Sequence, residues 1–365
     1  MTDPTYADRP AAPGPEPTGP APPGDGAGGA AAPAIRDAWP WARPARLTGW
    51  MERNGFTPLW AAVLVFVLAF LLFQLVVSPI VIGIGIAIDY AQSGQTEPPD
   101  VGALLEGVLE NGRLLLTANT VGQVVAFGLL AFAVARLHSP DVREYLRVRR
   151  PDGPGLALAA LGWATLYPAV LWAGDLNESL PQPEWLRQFE QSQVELLEGA
   201  LLGSDLSVAF LFVALALTPA VCEELLFRGY LQRQVERWGG AAASIVVVGV
   251  LFGAYHLRLS QVVPLSMLGV YMGFAVWATG SLWAGVVVHL LNNGTAVAVA
   301  AYARIRPDLV DMAAVEEMTF PWYLGIGGLV LTYGVVQALL RRRHAVVGDR
   351  DDAEPAPAPP VPPDR

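Results

Sequence analysis

The chain has 365 residues, 53% of them hydrophobic and only 15% charged, with a mean hydropathy of +0.40, which excludes an ordinary soluble domain. A formal net charge of -10 leaves no basic surface to neutralise phosphates, so nucleic acid is excluded as a partner. Cys222 is the only cysteine, which excludes an intrachain disulfide and a cysteine-based zinc cluster.

Residues 1–45 are rich in Pro, Gly and Ala and read as a disordered tail, as do the Pro/Asp-rich residues 346–365. The first long apolar stretch begins only past residue 50, so a cleavable signal peptide is not expected. A spanning helix needs about 20 mostly apolar residues. Eight stretches approach that length: 57–88, 114–135, 154–174, 206–227, 241–257, 260–279, 281–303 and 320–340. The predicted fold is therefore an all-α, polytopic transmembrane helical bundle of about eight spans over residues 55–343, with seven as the alternative count. Pro79 and Pro219 predict kinks in spans one and four. Gly239-Gly240 and Thr279-Gly280-Ser281 are the natural turns after spans four and six.

Arginines alternate across the spans. Arg36, Arg43, Arg46 and Arg53 precede span one, and Arg143, Arg147, Arg149 and Arg150 follow span two. Arg228, Arg233 and Arg237 follow span four, and Arg341-Arg342-Arg343 end span eight. Loops 89–113, 175–205 and 304–319 are acid-rich instead. By the positive-inside rule both termini are cytoplasmic in a multi-pass protein of the inner (plasma) membrane. Arg258, on the outer side, runs against the pattern.

The chemistry-bearing residues lie on spans four, five and seven. No charge occurs from Ser207 to Cys222, and then Glu223, Glu224 and Arg228 arrive together. Ionisable groups within membrane helices are costly and are usually functional, although these could simply mark a span end. Glu224 and Arg228, four apart with the acid first, form a favourable helical ion pair. Glu223, rotated by about 100°, faces elsewhere. Glu223 precedes Gly239 by the same sixteen residues by which His256 follows Gly240, so an antiparallel hairpin sets both at one depth, about 24 Å from the turn. Phe252 lies one turn before His256 and can shield its imidazole. On span seven, His289 and Asn293 share a face, placed to hydrogen-bond between helices, bind a metal or donate to an oxyanion. His138 and His344, among arginines at span ends, read as surface residues.

In order, the motifs are Glu223-Glu224-Leu225-Leu226-Phe227-Arg228, Phe252-Gly253-Ala254-Tyr255-His256 and His289-Leu290-Leu291-Asn292-Asn293. This set, Glu-Glu-x-x-x-Arg, Phe-x-x-x-His and His-x-x-x-Asn, resembles that of the CPBP family, which groups type II CAAX prenyl endopeptidases with bacterial relatives. The resemblance covers about residues 155–305. It implies an intramembrane metalloendopeptidase, a hydrolase that cuts a peptide bond of a membrane-embedded or lipid-anchored protein or peptide. In that reading Glu223 is the general base, and Glu224 with Arg228 holds the helix geometry. His256 positions the water, while His289 and Asn293 stabilise the oxyanion or complete a metal site. A divalent metal, zinc by donor type, would be held by Glu223, His256 and His289, although a ligating Glu223 could not serve freely as base. The lipid bilayer is the other expected partner. Two other classes are a non-proteolytic family member acting as membrane scaffold or bacteriocin-immunity protein, and a transporter or proton channel. The intact motifs weigh against the first, and clustered polar groups without a repeat weigh against the second.

Overall fold

The computed structural model describes residues 33–35, 37–40, 42–94, 100–150, 152–202, 206–306, 308–309 and 318–347. Among these, seven helices are long and apolar enough to cross a membrane. They are α1 (Pro58–Ser93), α2 (Gly112–His138), α3 (Gly153–Glu178), α4 (Val208–Tyr255), α5 (Leu259–Thr279), α6 (Leu282–Ile305) and α7 (Trp322–Val347). The chain is a multi-pass membrane protein. All eight predicted apolar stretches are helical, and the fourth and fifth are the two limbs of α4.

Gly240 separates those limbs. Its φ of 81° and ψ of 178° lie in a region essentially reserved for glycine, so the helix reverses there. The limb over 241–255 is only about 22 Å long, short of the roughly 30 Å hydrocarbon core. It is a return limb that hands the chain to α5 through Leu257, at φ 54°. Facing aromatic rings zip the limbs together, with Phe227 centred 5.3 Å from Phe252 and 5.6 Å from Tyr255.

The predicted proline kinks take a specific form. A widened π-type turn at Leu72–Val77 precedes Ser78-Pro79, and another at Val213–Leu217 precedes Thr218-Pro219. Proline lacks an N–H and crowds the carbonyl four residues back, and widening the preceding turn relieves that clash.

The α4 helix is the most enclosed of the seven, with 61% of its most apolar window buried against 22% for α1, so the chemistry sits at the centre of the bundle. Its limbs lie against α1, α2, α5 and α6, while α3 packs on α5, α6 and α7. Outer helices turn large apolar side chains outward, among them Trp60, Leu75 and Ile80 on α1 and Val330 and Leu331 on α7. In a bilayer those faces meet lipid.

One end of the bundle gathers the arginines. There Asp37 accepts from Arg233 at 2.6 and 2.9 Å, from Arg147 at 3.2 Å and from Arg149 at 2.5 Å. Burial would raise the Asp37 pKa, but the charges of Arg233, Arg147 and Arg149 outweigh it and hold the carboxyl well below its usual range. At the opposite end Asn177 donates to the Leu259 carbonyl at 2.8 Å, and Glu190 accepts from the Leu259 N–H.

Two expectations change here. Part of the predicted N-terminal tail is packed: Ala34–Ile35 and Ala45–Arg46 pair as short antiparallel strands, and Trp39 is buried against Gly280. Residues 1–32 and 348–365, the remainder of the predicted tails, lie outside the described residues. His138 is not a surface residue but fully buried. Its Nδ1 bonds Glu52 at 2.7 Å and its Nε2 meets Gln234 at 2.7 Å and the Tyr230 hydroxyl at 3.0 Å. Its partners come from the N-terminal segment and α4, which an α2 pattern cannot reveal. His344 is exposed, as read from the sequence.

Candidate active site

The predicted Glu224–Arg228 pair forms, with Arg228 Nη1 donating to Glu224 Oε1 at 2.7 Å and both side chains fully enclosed. Arg228 Nη2 reaches across to the Gly269 carbonyl on α5 at 3.0 Å, and the guanidinium lies 4.4 Å from the Phe252 ring centre. A desolvated stack of that kind is worth about 2 kcal/mol. Glu224 comes this close to α6 because position 285 is glycine: a Cβ there would collide with its Oε2.

Glu224 also orients His289. The His289 Nδ1 lies 3.1 Å from Glu224 Oε1, and because a carboxylate only accepts, Nδ1 carries the hydrogen. This leaves His289 Nε2 facing Glu223 Oε2 at 3.9 Å, beyond direct hydrogen-bond reach. Glu223 itself is nearly buried, at 7% exposure, and has no hydrogen-bond partner among the described residues. One glutamate is held through Oε1 by both Arg228 and His289, with its Oε2 unpartnered, and the other has no hydrogen-bond partner among the described residues.

His256 ends the return limb of α4. Its Nδ1 donates to the Phe252 carbonyl one turn earlier at 2.8 Å, which frees Nε2 for another partner. It makes no hydrogen bond or ion pair to either glutamate. Phe252 joins the parts instead: its ring centre lies 5.0 Å from His256 and 5.6 Å from His289, both edge-on.

Asn293 has a backbone task. Pro219 cannot donate to the Leu215 carbonyl four residues before it, and Asn293 Nδ2 supplies that missing hydrogen bond at 3.0 Å. Asn292 Nδ2 donates to Asn293 Oδ1 at 3.2 Å and holds the amide in place.

The structure thus brings Glu223, Glu224, Arg228 and His289 into one cluster and links His256 through Phe252, with Asn293 one turn along α6. Sequence reasoning missed Gly269 and Gly285, which carry no local signal. It also passed over Tyr255, whose hydroxyl is buried with no hydrogen-bond partner among the described residues. For the expected metal, the donor types of Glu223, His256 and His289 suit zinc, and both histidines hold Nδ1 on an acceptor as metal-bound imidazoles do. Their placement does not suit it: among the described residues no group of three or more His, Cys, Asp or Glu side chains is arranged to share an ion.

Residues 205–295 match the family model described as type II CAAX prenyl endopeptidase Rce1-like. The match takes in all three motifs and is consistent with the CPBP family. No curated protein and no solved structure matches the chain.

Proposed function

We propose that this chain with an Rce1-like domain is an intramembrane endopeptidase in which Glu223 activates water to hydrolyse a peptide bond of a membrane-associated protein or peptide. The observation that carries the reading is the contrast within the glutamate pair. Glu224 is locked by Arg228 and His289, whereas Glu223 has no hydrogen-bond partner among the described residues and faces His289 Nε2 at 3.9 Å. A separation of that size suits one bridging water.

In this mechanism Glu223 takes a proton from the water while His289 Nε2 accepts a hydrogen bond from it. The resulting hydroxide adds to the peptide carbonyl carbon and forms a tetrahedral oxyanion. Collapse breaks the C–N bond, and the proton held by Glu223 passes to the leaving nitrogen, giving a carboxylic acid and an amine. Arg228 offsets the Glu224 charge, so the pair presents one reactive carboxylate. Zinc held by Glu223, His256 and His289 would require those side chains to rotate together, and no step above depends on it. Bound metal, measured in the wild type and in a His256→Ala, His289→Ala double variant, tests that arrangement.

We assign the arginine-rich end to the cytoplasmic face of a plasma membrane, where the positive-inside rule puts it, with both termini on that side. The test of the function is to incubate the purified protein in proteoliposomes with a library of membrane-anchored peptides and to map new termini by mass spectrometry. New termini made by the active protein and not by a heat-inactivated sample support the reading. No new termini from any pool would overturn it.

A further inference from the structure

Resting on that hydrolytic reading, Glu223 of α4 and His289 of α6 have to be held at one spacing, because a single water must touch both. They stand 3.9 Å apart. A misplacement of about 1 Å caused by a distant change can cost about 10²-fold in rate. Part of the spacing is set locally, where Glu224 holds His289 Nδ1 and fits against Gly285. The rest is set at the arginine-rich end, by the loop 144–149 between α2 and α3.

That loop bonds both helices. Toward α4, the Tyr145 carbonyl accepts from Arg233 Nε at 3.0 Å, and Leu146 packs on Gly229, the residue after Arg228, where a Cβ would come within 3.3 Å of the leucine side chain. Toward α6, the Arg147 carbonyl accepts from the Leu282 N–H at 3.0 Å, and the Arg149 carbonyl accepts from the Ser281 hydroxyl at 2.9 Å. Leu282 opens α6. His289 lies seven residues on, two turns along the same face and about 10 Å away.

Arg147 joins the two sets of bonds. Its φ of 57° lies in the left-handed region, which is costly for a residue with a Cβ and persists only where the surroundings impose it. This turn gives the carbonyl to α6 while the guanidinium reaches α4. There Nη2 donates to Glu236 Oε2 at 2.5 Å and to Asp37 Oδ1 at 3.2 Å, and Asp37 in turn binds Arg233. Glycine would take the same φ at less steric cost, but arginine adds the bond to α4. The neighbouring His138 cluster bonds α4 and the N-terminal segment, whereas the loop of Arg147 bonds α6 as well.

We infer that Arg147 is a positioning residue for hydrolysis: its guanidinium on α4 and its carbonyl on α6 fix the register at which Glu223 faces His289 Nε2.

The test separates the two bonds in the full-length protein in proteoliposomes, assayed on a fluorogenic peptide built from a sequence that the wild type cleaves. Leu282→Pro deletes the N–H that the Arg147 carbonyl binds. Proline suits the first helical position, and Ser281 before it already has the extended backbone that proline requires, at φ -132° and ψ 131°. Leu282→Ala loses side-chain packing but keeps the N–H. Arg147→Gly keeps the left-handed turn and removes the link to Glu236 and Asp37. The expected result is a kcat per folded molecule about 10–100-fold lower for Leu282→Pro than for Leu282→Ala, with KM unchanged, and a similar fall for Arg147→Gly against the wild type. Equal kcat for the two Leu282 variants overturns the inference. So does Arg147→Gly with the kcat of the wild type and only a lower melting temperature, since the residue would then be structural; this variant decides the matter if Leu282→Pro does not fold. Glu223→Gln is run in parallel. If it abolishes cleavage while Leu282→Pro and Arg147→Gly cleave normally, the hydrolytic reading stands and only the Arg147 assignment fails. If Glu223→Gln cleaves normally, both fail.

Discussion

His138 and His289 are both buried imidazoles beside a glutamate, yet they belong to opposite kinds of site. At the arginine-rich end, each His138 nitrogen is engaged, by Glu52 on one side and by Gln234 and Tyr230 on the other. Arg237 closes the cluster by binding Glu52 at 2.8 Å. Around His289 only Nδ1 is engaged, and Nε2 looks across 3.9 Å at a glutamate with no hydrogen-bond partner among the described residues. Saturated polar clusters fix a fold, whereas a cluster left partly open by a rigid surround can do chemistry. The two regions differ in how much hydrogen-bonding capacity is left over, more than in residue type.

That contrast can be broken or sharpened by substitution. The largest stability effect should come from Arg228→Ala, which strands Glu224 in the core; losing one partner of a buried pair costs about 3–5 kcal/mol. A collapse of the melting temperature in detergent is expected, and a variant as stable as the wild type would show that the pair is not structural. His138→Ala ranks next, because Glu52, Tyr230 and Gln234 each lose a partner at a cost of about 1–3 kcal/mol. Here the melting temperature should fall while activity per folded molecule stays at the wild-type level. A selective loss of activity would erase the distinction between the two regions.

The smallest effect is a pH dependence at the arginine-rich end. The Asp37 carboxyl is depressed in the fold, because Arg233, Arg147 and Arg149 overcome the opposing effect of burial. Its contribution is therefore complete above the unfolded value of about 3.9 and is lost as pH falls through the folded value. A melting temperature with no Asp37-dependent step between pH 7 and about 4, then a decline on further acidification, is expected from a pH series of thermal melts. A stability gain on acidification would contradict the arrangement.

Much of the site was legible because each motif is local. Four-residue spacings place Glu224 with Arg228 and Phe252 with His256 on single helix faces, and Gly240 marks the reversal that brings Phe227 and Phe252 together. What stayed hidden depends on contacts between distant segments. His138 looked like a surface residue because Glu52, Tyr230 and Gln234 come from elsewhere in the chain. Asp37 and Trp39 sit in a stretch whose composition resembles a tail, and only the arginines and Gly280 they meet show that it is packed. Asn293 was readable as a polar residue on the right face, but its link to the carbonyl freed by Pro219 needs α4 and α6 side by side.

The central claim is that Glu223, the open member of the pair, is the general base. Its most direct test is Glu223→Gln, which keeps the side chain's size and removes its basicity, measured for peptide cleavage and thermal stability in the same preparation. A loss of about 10²–10⁴-fold in rate with an unchanged melting temperature is the predicted result. Cleavage at the wild-type rate by a folded Glu223→Gln protein would contradict it.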